Sequence, residues 1–292
     1  MFEALQHPYL VPFDGSFSLK NLTTSPPEDQ SHKKSNKAVR KALVKEFREL
    51  QRVLYAHDRY GVLLIFQAMD AAGKDGTIRR VMTGVNPAGF QAFSFKQPSA
   101  EELDHDFLWR TTKRLPERGR IGVFNRSYYE EVLVVRVHPK ILIPQRLPGD
   151  IDPEKLWQTR FESIREHEKH LARNGMVVLK FWLNVSKSEQ KNRFLARLNE
   201  PEKHWKFSSG DVDERDYWDD YMQAYEDALK ATSKPWAPWY AIPADNKPFM
   251  RRTVAEIIVN TLKSLDIEYP QVGPDQLAGF DEMRKRLESD EG

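Results

Sequence analysis

Apolar and polar positions recur along the chain with two periods. Across residues 37–55, Leu43, Phe47, Leu50 and Leu54 fall at spacings of four, three and four, which predicts one buried helix face. Residues 62–66 then run apolar without a break, the mark of a buried strand. Similar patterns predict strands over 90–95, 121–124, 176–185 and 240–243. Helical patterns lie between them: one after the first strand, one after Ser186, one carrying Trp218, Tyr221, Met222, Tyr225 and Leu229, and one over about 249–265. Ser99 with Glu102, and Ser186 with Glu189, are capping-box signals for helix starts. Strands alternating with helices predict an α/β fold, a mostly parallel sheet with helices on both faces. Residues 1–36, interrupted by Pro8, Pro12, Pro26 and Pro27, predict an irregular arm. The charged residues 269–292 predict a solvated tail, leaving 37–268 as the folded unit.

The first strand opens into QAMDAAGKDGT, residues 67–77, followed by helix-compatible residues. Strand, glycine-containing turn and helix start form the layout of a phosphate-binding loop. Backbone N–H groups at such a helix start point outward unpaired, and the helix dipole adds partial positive charge. Lys74 can reach terminal phosphates. The loop departs from the usual G-x-x-x-x-G-K-[ST]: Ala68 replaces the first glycine, and Asp75 replaces the hydroxyl that ordinarily ligates magnesium. Asp70 adds a carboxylate that the usual pattern lacks. Magnesium favours oxygen ligands, commonly one or two carboxylates with phosphate oxygens, so Asp70 reads as a metal-facing or acceptor-facing group. The plain alternative is a strand-to-helix turn with Asp75 as a first-turn acid.

Composition narrows the partners. With 45 basic and 43 acidic residues in 292, the net charge is +2, which offers no global field for nucleic acid. Any polyanion site is a local basic cluster. There are no cysteines, so disulfides and thiolate zinc sites are excluded. The longest apolar runs are strand-sized, too short for a membrane span, and the first residues lack a signal-peptide pattern. A cytoplasmic protein is the expectation.

In open α/β sheets ligands bind beyond the carboxyl ends of strands. The strand ending at Phe124 delivers Asn125-Arg126-Ser127 and then Glu130 and Glu131. Phosphate-loop enzymes commonly hold an Asp near magnesium at that point. Asn125 keeps the oxygen without the charge, and Arg126 can neutralise phosphate oxygens, or simply pair with Glu130 or Glu131. After Ser186, Arg193 and Arg197 share one helix face, and a polar segment with Lys203, Lys206 and Asp211 follows. Arginines followed by such a segment suit a lid over about 190–216, although a solvated helix with an ordinary loop fits the spacing equally. Arg79 and Arg80, with Lys113, Arg114, Arg118 and Arg120, are candidates for lining a groove for a long anion.

The segments AMDAAGKDGTIRRVMTGVNPAGF, SFKQPSAEELDHDFLWR and GRIGVFNRSYYEEVLVVRVHP together resemble the second family of polyphosphate kinases. So do NRFLARLNEPEKHWKFSSGDVDERDYWDDYMQAYEDAL and PWYAIPADNKPFMRR, extending the resemblance over about 37–265. It implies a thymidylate-kinase-like three-layer α/β/α phosphate-loop kinase with a helical lid. It implies reversible transfer of the terminal phosphoryl of inorganic polyphosphate to AMP, ADP or both, with Mg2+ (or Mn2+), giving ADP and ATP in a homodimer or homotetramer. Asp70, Lys74, Asn125, Arg126 and Arg193 then become catalytic, with Asp70 toward the metal. Ala72, Gly73, Asp75, Gly76, Thr77, Arg79, Arg80, Lys96 and Arg120 become phosphate contacts, and Glu130, Arg197, Lys206 and Asp211 nucleotide or lid residues. Asn125 departs from the Asp of many members. Members with FNRS followed by YE and VLVVRVH are associated with both AMP and ADP. Two rivals stay open on the sequence: an ATP-dependent nucleoside or nucleotide kinase of similar fold, and a non-catalytic polyanion binder.

Overall fold

The computed structural model describes residues 1–289. The apolar runs form strands β1 (Gly61–Gln67), β2 (Phe90–Ser94), β3 (Ile121–Asn125), β4 (Met176–Asn184) and β5 (Trp239–Pro243). They pair in parallel in the order β2-β3-β1-β4-β5. Every residue of β1 is buried, as its central place between β3 and β4 requires. Helices of eight or more residues are α1 (Lys33–His57), α2 (Lys74–Val81), α3 (Pro153–Arg173), α4 (Lys187–Asn199), α5 (Trp218–Thr232), α6 (Lys247–Ser264) and α7 (Pro274–Ser289). α1 and α2 pack against α6 on one side of the sheet; α3 packs on β4 and α5 on the other. The result is a three-layer α/β/α fold. β1 is followed in sequence by an edge strand, and β3 slots in beside it. That reversal opens a crevice at the carboxyl ends of β1 and β3.

The first residues are irregular but not loose. Val11 N donates to Trp239 O at 2.9 Å and Ala241 N to Tyr9 O at 2.9 Å, so an antiparallel bridge covers the edge of β5. α1 starts at Lys33, a turn before its apolar periodicity. The polar tail is largely the helix α7, which buries no residue, and 290–292 lie outside the described residues. The Ser186 cap forms only half of the expected box. Its hydroxyl accepts Glu189 N at 3.0 Å, but Ser186 N donates to Asp245, which leaves the Glu189 carboxylate for Arg193.

One charged network lies inside the core, beneath the turn that follows β3. Lys180 Nζ donates to Glu168 (2.6 Å), the Tyr129 hydroxyl (2.9 Å) and Thr232 O (2.9 Å). The hydroxyls of Tyr128 and Tyr129 donate to the other Glu168 oxygen at 2.8 and 2.9 Å. Burial lowers the Lys180 pKa to about 8 and raises that of Glu168, and each partner opposes the other's shift. Removing one ion strands the other away from water. Glu168→Ala is therefore expected to cost about 3–5 kcal/mol in urea unfolding, and Glu168→Leu with Lys180→Met far less.

Candidate active site

β1 leaves the sheet at Ala68 and reaches α2 through two left-handed residues, Ala71 (φ 60°) and Gly73 (φ 109°). The second conformation suits glycine, and a Cβ there would also come within 3.3 Å of the Met250 methyl. The loop carbonyls all meet side-chain donors. Lys74 Nζ bonds Ala68 O at 2.7 Å and reaches Met69 O at 3.4 Å. Gln190 Nε2 bonds Asp70 O at 2.9 Å. Arg193 Nη1 bonds Ala71 O at 3.2 Å and Ala72 O at 2.5 Å. With the carbonyls engaged, the first amides of α2, from Lys74 to Gly76, have no intrahelical acceptor and form an anion cradle.

A cleft of about 950 Å³ opens over this loop. Arg126, left-handed at φ 64°, is pinned by its own N–H to Phe66 O at 3.0 Å. Its guanidinium bonds Asp70 at 2.6 Å and Glu130 at 2.8 Å, so the expected i,i+4 ion pair and the cleft position coexist. Gln67 Nε2 steadies Glu130 at 3.1 Å. Near the end of α4, Arg197 pairs with Asp211 at 3.2 Å. Burial pushes the Asp70 carboxyl up, but Lys74, Arg126 and Arg197 together outweigh it and hold the carboxyl below its ordinary range. Burial and then Arg126 lower Lys74 to about 8 against the pull of Asp70, Glu130 and Asp75. Glu130, with Asp70, raises Arg126 well above its usual value. Burial and Asp70 raise Asp211.

Asn125 Nδ2 donates to Asp75 Oδ1 at 2.6 Å, while Asn125 Oδ1 is buried without a partner. Asp70, Asp75 and this orphaned oxygen make an all-oxygen donor set, which fits magnesium or manganese. Among the described residues no group of three His, Cys, Asp or Glu could hold a metal, so a cation here would need further ligands from outside the protein.

Of the residues singled out in the sequence, Asp70, Gly73, Lys74, Asp75, Gly76, Arg79, Lys96, Asn125, Arg126, Glu130, Arg193, Arg197 and Asp211 line the cleft. Others do not. Ala72 is fully buried, with its N–H on Met69 O. Thr77 is fully buried too, its hydroxyl donating to Gly73 O at 3.0 Å. Arg120 precedes β3 rather than following it, so it lies at the far end of the sheet, paired with Glu117 at 3.0 Å. Arg80 stands beside Arg40, which donates to its carbonyl at 3.0 Å. Arg193 touches the cleft, but every N–H of its guanidinium has a protein acceptor: Glu189, Ala71 O, Ala72 O, Ala244 O and Asp245 O. As a phosphate contact it is corrected to a clamp on the loop. The side chain of Lys206 lies outside the described residues.

The sequence reading missed Lys247 and Arg251, both on the first turns of α6 and both lining the cleft. Burial, with Arg80, Arg40, Arg79 and Arg193, lowers Arg251 to about 10, so these cations crowd one ridge. They follow β5, and the rule applied to the other strand ends would have found them. The cleft is also lined by Phe95, Phe107, Val134, Val135 and Ile141, an apolar lobe with the Arg110 guanidinium over the Phe95 ring.

The chain was compared with known proteins. The profile of the family polyphosphate kinase 2 (PPK2) matches residues 30–270. An ADP-polyphosphate phosphotransferase of Rhodopseudomonas palustris is 57% identical over 245 residues, 84% of this chain and 85% of that protein. An AMP/ADP-polyphosphate phosphotransferase of Meiothermus ruber is 44% identical over 266 residues, 90% of this chain and 95% of that one. The crystal structure of polyphosphate kinase 2 from Arthrobacter aurescens superposes with a TM-score of 0.86 at 36% identity, covering 98% of this chain and 100% of that one. A family profile over most of the chain and a full-length structural match agree, and the chain belongs to the polyphosphate kinase 2 family.

Proposed function

We propose that the protein moves the terminal phosphoryl of inorganic polyphosphate onto AMP and onto ADP, forming ADP and ATP reversibly. One observation carries the reading: a single cleft is lined by a phosphate loop, by an apolar group of residues, and by a ridge of cations that includes Arg79, Lys247 and Arg251. The lobe suits a nucleobase and the ridge a long anion. Relatives named for AMP/ADP and ADP phosphotransfer support the acceptors. The working unit includes the arm that bridges β5, and is a homodimer or homotetramer in the cytoplasm. Light scattering after size-exclusion chromatography measures the assembly. Among the described residues no helix is long and apolar enough to cross a membrane.

The attacking group is an anionic phosphate oxygen, so no general base is needed, and rate comes from alignment and charge. The amides of Lys74, Asp75 and Gly76 cradle phosphate oxygens at the head of α2. Lys74 and Arg126 oppose the charge that spreads over the transferred group. Arg126 is held for this by Asp70 and Glu130. Arg197, held by Asp211, adds positive charge beside the loop. Asp70, with Asp75 and Asn125, would hold Mg2+ or Mn2+, which when bound would supply positive charge against phosphate oxygens.

Purified protein is incubated with AMP, magnesium and long-chain polyphosphate, and nucleotides are separated over time. ADP followed by ATP is expected. Transfer from ATP with no reaction from polyphosphate would overturn the reading.

A further inference from the structure

Gln190 is 1% exposed, one turn into α4, and uses both ends of its amide. Its Nε2 donates to the carbonyl of Asp70 at 2.9 Å. Its Oε1 accepts Arg215 Nη1 at 2.6 Å, and the same nitrogen donates to Lys187 O at 3.1 Å. Arg215 belongs to the arm by which the chain returns from the lid, just beyond the short helix Gly210–Asp213 that carries Asp211. That arm is seated on α4 twice, through Asp211 to Arg197 and through Arg215 to Gln190. The second seat continues into the phosphate loop. The Asp70 residue is thereby held at both ends, its carboxylate by Arg126 and its carbonyl by Gln190.

We infer that Gln190 is a positioning residue that carries the seated state of the lid's return arm to the Asp70 peptide. The inference rests on the phosphotransfer reading above. Donor and acceptor on one amide polarise each other, so the bond to Asp70 O strengthens when Arg215 docks. When the arm lifts, the buried Oε1 loses its partner and the amide is free to turn, which releases the loop carbonyl. A loop held only while the lid is seated reserves its catalytic geometry for the closed cleft. The neighbouring clamp is different: Arg193 bonds Ala71 O and Ala72 O but receives nothing from the return arm, so its hold on the loop does not depend on that arm.

The test is a kinetic cycle on the full chain with Gln190→Met, Arg215→Met and the double variant. Gln190→Met is expected to lower kcat by about 10- to 100-fold, the scale of a small misplacement of reacting groups. The KM for polyphosphate should stay within about twofold, because the cationic ridge is intact. Arg215→Met should lower kcat as well, and the double variant should be no worse than Gln190→Met, since both cut one chain of contacts. Losses that multiply, as two unrelated packing defects would, overturn the relay. Gln190→Glu keeps an acceptor for Arg215 but turns an oxygen toward Asp70 O, and is expected to match Gln190→Met. Wild-type kcat in Gln190→Glu sinks the inference even where Gln190→Met does not fold. A wild-type chain that makes no nucleotide product from polyphosphate sinks the functional reading instead.

Discussion

Lys74→Ala is expected to lower kcat on the order of 10²- to 10³-fold while the protein still unfolds cooperatively. The ammonium does two jobs. It caps Ala68 O and Met69 O, and it brings the loop's own positive charge to the cradle. Alanine removes both, taking the side-chain donor from Ala68 O, leaving Met69 O only the Ala72 N–H, and making the cleft more negative. Near-wild-type turnover would remove Lys74 from the mechanism. Its low pKa gives a second signature. In the free enzyme the charge is lost as pH rises through about 8. Hence kcat/KM for polyphosphate should fall above that point, while kcat persists to higher pH because bound phosphate restores the charge. Stability moves the other way. Between about 8 and the ordinary lysine value of 10.5 the unfolded chain holds a proton that the folded chain has released. This residue's contribution to stability therefore rises with pH across that window. Lys74→Met should flatten both limbs, which urea titrations and kinetics at matched pH values would read together.

How far the sequence led depends on what each residue's role requires. Strands buried on both faces announce themselves as long apolar runs, interrupted in β4 by Lys180, so β1 and β4 were legible. Asp70 and Lys74 come soon after the end of β1, Asn125 and Arg126 stand at the end of β3, and the four meet in the cleft. Arg120 was drawn in by its basic neighbours, but a strand has a direction, and a residue before β3 sits on the wrong side of the sheet. Thr77, Ala72 and Arg193 failed for a subtler reason. Their roles turn on where the loop carbonyls point, and that is set by the left-handed Ala71, which no residue preference signals. Once those carbonyls face α4, an arginine at position 193 has acceptors enough to consume it. Gln190 was invisible on the same ground, because its partners are a main-chain oxygen and an arginine 25 residues away.

Asp70→Asn is the other substitution expected to cost orders of magnitude, and the surrounding contacts make its effect interpretable. Asparagine keeps the size of the side chain and removes the charge. Arg126 loses a partner at 2.6 Å but keeps Glu130 at 2.8 Å, so it stays aimed at the cleft. The Gln190 bond is to the Asp70 carbonyl and is untouched. What disappears is the carboxylate, held ionised by Lys74, Arg126 and Arg197 against its burial. A fall in kcat on the order of 10²-fold is expected, with more magnesium needed for half-maximal rate, since one carboxylate of a sparse donor set is gone. The same change reaches Lys74. Asp70 is the first of the carboxylates that hold the ammonium charged, so without it the alkaline limb of kcat/KM should move to lower pH. A lost rate with an unmoved limb would mean that Asp70 acts on the metal alone. An unchanged rate at saturating magnesium would take the carboxylate out of the reaction altogether.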